Sequence, residues 1–136
     1  EEDIALISVG HMFETAAKVR EKLKEAGLNA SLINARFVKP LDEERIAKLA
    51  EDHRLLVTIE ENVESGGFGE RVLEFANRMA LDVRIVNITL PDDYIEHGSV
   101  DMLRKEVMLD EESILKKVLT VYAGMQHEIA MKKGDQ

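Results

Sequence analysis

The chain has 136 residues, 45% of them apolar, which is enough for one folded domain with a real core. Its formal net charge of −9 argues against a general binder of nucleic acid or anionic membrane, because phosphate recognition needs clustered Lys and Arg. There is no Cys, so disulfides, thiolate nucleophiles and Cys-based metal sites are excluded.

With aromatic residues at 4% and no Trp, the core must rest on Ile, Leu, Val, Ala and Met. No apolar run approaches membrane-spanning length, and Glu1-Glu2-Asp3 lacks the basic and apolar parts of a signal peptide. A cytoplasmic location is the expectation. The chain starts almost directly on a strand, which reads as a piece cut from something longer.

The first strand is expected over Ile4 to Val9, ended by Gly10. A helix follows from about Met12 to Ala26, with Met12, Ala16, Val19, Leu23 and Ala26 forming one apolar stripe. Gly27 suits the left-handed residue just past its end. Asn29 to Ala35 reads as the second strand. After the loop Arg36 to Leu41, Asp42 is an N-cap candidate, with Glu43 and Glu44 complementing the helix dipole. Ile46, Leu49 and Ala50 then face inward.

Leu55, Leu56, Val57 and Ile59 form an apolar run without clean alternation, as in a parallel strand buried on both faces. Glu60, Glu61 and Asn62 follow at its carboxyl end. Gly66, Gly67 and Gly69 allow a tight entry to the third helix, marked by Val72, Leu73, Phe75, Ala76, Met79 and Ala80. Val83 to Ile88 is the fourth strand.

A loop from Leu90 to Gly98 leads to Ser99, expected to cap a short helix to about Lys105. Asp110 is expected to start a separate final helix carrying Ile114, Leu115, Val118, Leu119 and Tyr122. Beyond Gly124 the pattern weakens, although Met125, Ile129 and Met131 permit more helix. Strand starts near residues 4, 31, 55 and 83 keep the βαβ rhythm of about 24 to 28 residues. The expected fold is therefore a single three-layer α/β/α domain with a mainly parallel sheet over residues 1–123. Residues 124–136 form a partly helical or disordered tail.

Chemical motifs are sparse. The first turn, Val9-Gly10-His11-Met12-Phe13-Glu14, has one glycine and no dinucleotide fingerprint. Gly66-Gly67-Phe68-Gly69 lacks that spacing too, and serves better as a tight turn than as a phosphate cradle. Glu60 and Glu61 are adjacent on a strand and point to opposite faces, so one orders a loop and the other meets solvent or a partner. His11 and His97 fall after strands at one edge of the sheet, with Glu61, Asn62 and Asp93. Metal-ligand spacing is missing there, and no serine sits in a nucleophile elbow.

Three segments carry a resemblance. They are Asn34 to Asp42, then Val57 to Asn62 with Gly66-Gly67-Phe68-Gly69, then Leu90-Pro91-Asp92 with Ile95 to Ser99. In order and spacing they resemble the C-terminal domain of the 1-deoxy-D-xylulose-5-phosphate synthase family, within the wider transketolase C-terminal domain family, over about Asp3 to Tyr122. The resemblance implies a thiamine-diphosphate- and Mg2+-dependent homodimeric enzyme that condenses pyruvate with glyceraldehyde 3-phosphate, for isoprenoid, thiamine and pyridoxal biosynthesis. It also implies that cofactor and catalytic residues lie in the N-terminal and central domains, and that this domain scaffolds them and helps form the dimer.

No catalytic, cofactor-binding or metal residue is therefore expected in this chain. The candidate interface or strand-end crevice residues are His11, Phe37, Pro40, Glu61, Asn62, Phe68, Asp93, Tyr94 and His97. Against the family pattern, His11 replaces a small or hydroxyl residue and Asp93 a frequent basic one. Two other readings share the fold: the C-terminal domain of a transketolase or a 2-oxoacid dehydrogenase β subunit, or a standalone domain binding an anion or metal at the His11, Glu61 and His97 edge.

Overall fold

The computed structural model describes residues 3–35, 41–61, 67–90 and 100–134. Four strands, β1 (Ile4–Val9), β2 (Ala30–Ala35), β3 (Leu55–Glu61) and β4 (Arg84–Leu90), pair in the order β2-β1-β3-β4. Every pairing is parallel: Ile4 lies opposite Ala30 and Leu55, and Leu55 opposite Arg84. The helices α1 (Phe13–Glu25), α2 (Glu43–Asp52), α3 (Phe68–Arg78) and α4 (Val100–Gly134) complete the domain.

Alternation along the strands divides the core in two. Ile4, Leu6, Leu55, Val57, Ile59 and Val86 face α1 and α4, which contribute Ala16, Val19, Leu23, Ile114 and Val118. Ala5, Ile7, Ile33 and Leu56 face α2 and α3, which contribute Ile46, Ala50, Phe68, Val72 and Phe75. Both faces of β1 and β3 are thus covered, and their apolar residues are buried almost without exception. This explains why the sequence of β3 shows no alternation. The expected three-layer α/β/α arrangement is what forms.

Local chemistry sets the helix ends. Asp42 caps α2 by accepting the Arg45 amide on Oδ1 at 3.2 Å. At the end of α1 the Leu28 amide reaches Leu23 O at 2.9 Å and the Gly27 amide reaches Lys24 O at 3.0 Å, while Gly27 takes φ +84°. That is a Schellman ending. Helix α3 ends the same way: the Leu81 amide reaches Ala76 O at 3.0 Å and the Ala80 amide reaches Asn77 O at 3.2 Å. Here an alanine holds the left-handed position, at φ 53°.

Several expectations need correction. The separate helices before and after Asp110 are one continuous helix, α4. Glu111 is buried and pairs with Lys18 of α1 at 3.4 Å, so this stretch packs against α1 as helix interior rather than beginning a new helix. The first turn after β1 is a 3-10 turn, Gly10–Met12, before α1 proper. The α1 stripe stops at Leu23, since Ala26 is exposed. On α3, Leu73 and Met79 are exposed, because the buried side runs through Phe68, Val72, Phe75 and Ala76.

Candidate interdomain edge at the strand ends

In an open parallel sheet the helices at the carboxyl ends of the strands leave a crevice where the strand order reverses. Here β1 connects outward to β2 on one side, and β3 lies on its other side. The reversal falls between Val9 at the end of β1 and Glu60–Glu61 at the end of β3. Gly10 turns the chain away from β1 at φ +68°, and the 3-10 turn that follows places His11 at this edge. Glu61 is the last residue of β3.

Glu60 lies on the α3 side of the sheet. It is 5% exposed, and its Oε2 accepts the Gly69 amide of α3 at 3.0 Å. The N-cap of α3 is Gly67, which has no side chain to offer. Glu60 therefore supplies from β3 the carboxylate that a local Ser or Asp would provide, and it meets the positive end of the helix dipole.

Next to it, the buried Thr58 hydroxyl donates to Asn87 Oδ1 at 2.8 Å, joining β3 to β4. Gly69 lies directly above this pair. A Cβ there would stand 2.7 Å from Thr58 Oγ1 and 2.7 Å from Asn87 Cγ. Its glycine is required by close approach.

Beside α3, a cavity of about 630 Å3 opens between α2 and the ends of β1 and β2. Ile7, Ile33, Leu41, Ile46, Leu49 and Phe68 give it apolar walls, with Asn34, Asp42 and Arg45 as polar members. Phe68 lines this cavity and is itself 4% exposed, so its ring packs inside this chain. Of the other expected edge residues, His11 and Glu61 stand at the strand ends as described. Phe37, Pro40, Asn62, Asp93, Tyr94 and His97 lie outside the described residues. Composition and motif spacing singled out neither Thr58 nor Asn87. A Thr inside the apolar run of β3, ahead of a glycine-opened helix, was the available signal.

Among the described residues no three His, Cys, Asp or Glu side chains are grouped to hold a metal ion. No described helix is long and apolar enough to cross a membrane. The edge offers a buried carboxylate committed to a helix, a hydroxyl–amide pair and an apolar cavity.

Residues 1–114 match the model of the transketolase C-terminal domain. The chain belongs to the transketolase C-terminal domain family. Within that family it is 48% identical over 119 residues to the 1-deoxy-D-xylulose-5-phosphate synthase of Lachnoclostridium phytofermentans, covering 87% of this chain and 19% of that protein. The synthase of the same name from Aquifex aeolicus is 41% identical over 123 residues, 90% of this chain and 20% of that protein.

The chain thus spans about a fifth of the length of the curated relatives it matches. A solved structure, a split gene transketolase in an inactive β4 tetramer, superposes with TM-score 0.70 and 22% identity. It covers 88% of this chain and 38% of that one, and it shares the transketolase C-terminal domain fold.

Proposed function

We propose that this chain is the C-terminal scaffolding and dimerisation domain of a 1-deoxy-D-xylulose-5-phosphate synthase. The observation that carries this reading is the 48% identity over 87% of the chain to a protein of that name. The parent enzyme is a cytoplasmic homodimeric transferase that condenses pyruvate with glyceraldehyde 3-phosphate and releases carbon dioxide. Thiamine diphosphate, bound with Mg2+ by the preceding domains, supplies the carbanion chemistry. This domain's proposed part is mechanical.

A three-layer domain buried on both sheet faces is a stiff body. Its strand-end edge holds the N-terminal and central domains in register, within the parent chain and across the dimer. Orientation of that kind is worth large rate factors, because small displacements of a reacting group cost up to about 10²-fold. His11, Phe37, Pro40, Glu61, Asn62, Asp93, Tyr94 and His97 are proposed to form the surface that meets those domains, and Phe68 to support it from the wall of the cavity.

The test is a domain exchange. The matching fifth of the Lachnoclostridium phytofermentans synthase is replaced by this chain, and formation of 1-deoxy-D-xylulose 5-phosphate is followed. The exchanged enzyme is expected to turn over while this chain alone does not. A soluble, dimeric exchange product without activity overturns the assignment.

A further inference from the structure

We propose that Glu60 is a positioning residue: it caps α3 from the neighbouring strand and thereby sets where the α3 side of the strand-end edge stands. The proposal rests on the reading of that edge as an interdomain surface, and it deepens that reading by giving Glu60 a task there.

Four observations converge. First, α3 begins without a cap of its own, since Gly67 precedes it. Unsatisfied amides at a helix start need an acceptor. Second, the acceptor that reaches the Gly69 amide is Glu60 Oε2, at 3.0 Å, from a residue nine positions earlier and on another element. Third, this carboxylate is 5% exposed. A buried anion is costly unless hydrogen-bonded, so its place is fixed by the amide it serves.

Fourth, Gly69 approaches so closely that an added Cβ would collide with Thr58 and Asn87, which are themselves bonded to each other. The first turn of α3 is thus docked on two strands by polar contacts at a place where apolar packing alone would leave rotation and sliding free. Phe68, one residue earlier, is carried by this docking into the cavity wall beside Ile7 and Ile33.

Glu60 is inside, on the α3 face, and its charge answers a helix end. Glu61 follows it as the last residue of β3, at the reversal point of the sheet. Glu60 acts on a neighbouring domain solely through α3. It is a positioning residue and not a catalytic one.

The charge and reach of Glu60 are separable by substitution. Glu60→Gln keeps an oxygen at the same distance. Glu60→Asp keeps the charge but is one methylene short, and Glu60→Ala removes both. Amide hydrogen exchange on this chain is the direct readout. In E60A and E60D the amides at the start of α3 are expected to exchange at least about tenfold faster relative to those of β3, the loss of one charge-assisted hydrogen bond. E60Q is expected to stay within about threefold of the parent chain.

Should E60A fail to fold, the contrast of E60D with E60Q carries the same comparison. Unchanged protection in E60D and E60A overturns the proposal, as does equal loss in all three. In the exchanged synthase, E60D is expected to lower kcat roughly tenfold with KM held, and E60Q to restore it. An inactive exchange product carrying the unaltered domain would sink the functional assignment and leave the exchange result standing. An E60D enzyme with normal kcat would sink the positioning role.

Discussion

The two ends of the sheet are built on different rules. At the amino end the backbone closes on itself. Asp3 O accepts the amides of Arg54 and Leu55 at 2.8 and 3.0 Å, and Arg54 O accepts the Arg84 amide at 3.0 Å, so one relay ties the starts of β1, β3 and β4. His53 is fixed between Leu49 O at 2.8 Å and Ser31 Oγ at 2.9 Å, locking the end of α2 to β2. The Tyr122 hydroxyl donates to Asp3 Oδ2 at 2.8 Å and anchors α4.

At the carboxyl end the described residues show a different kind of fastening. Glu60 holds α3, and beside it the cavity between α2 and the strand ends stays open. Among the described residues, one end is tied by bonds that cross between elements, and the other holds a cavity beside a capped helix.

The largest way to break this contrast is Phe68→Ala. It deletes a buried ring from the wall of the cavity and is expected to cost about 3 to 5 kcal/mol in denaturant unfolding. A loss below about 1 kcal/mol would mean the cavity wall is not part of the core. Next comes Gly69→Ala, which forces a methyl against Thr58 and Asn87. It is expected to destabilise by about 1 to 3 kcal/mol. Combined with Asn87→Ala, which removes one of the colliding groups, the two effects should fall short of additivity; strict additivity would deny the close approach.

A smaller effect sharpens the amino end. Burial first, and the hydrogen bond to Asp3 next, raise the Tyr122 hydroxyl above its ordinary value of 10.0. The fold therefore favours the neutral phenol. That contribution is complete below pH 10 and is lost as the pH climbs through the raised value. Tyr122→Phe is expected to cost about 1 kcal/mol at neutral pH and to flatten the alkaline fall in stability. Equal alkaline slopes in the two chains would show that Tyr122 does not carry it.

The smallest effect compares the two Schellman endings. Ala80→Gly relieves a left-handed alanine and is expected to stabilise by up to about 1 kcal/mol, whereas Gly27→Ala should destabilise by a similar amount. Thermal unfolding that moved both variants in the same direction would contradict the assigned backbone.

Much of this architecture was legible before any coordinates. Apolar runs bounded by Gly10, Gly27 and Asp42 located the strands and helix ends, because capping chemistry is written in neighbouring residues. The failures share a cause. Asp110 looks like a helix start from its neighbours, yet α4 continues through it, and the contact that explains the next residue, Lys18 to Glu111, spans two helices.

Ala80 gives no local sign of a left-handed backbone. The Glu60 cap is invisible for the same reason, since its target amide sits on the following helix. Strand alternation alone places Glu60 and Glu61 on opposite faces as an expectation. Which glutamate turned inward needed the position of α3.

The bond between Tyr122 and Asp3 joins residues 119 positions apart. The strand beside the middle of the sheet is thus pinned by a helix from the far end of the fold. Its neighbours β2 and β3 also lie across crossover connections, and non-local pairing of this kind folds slowly. A chain stalled or clipped before Tyr122 would carry all four strands and lack the pin that fastens the first of them to α4.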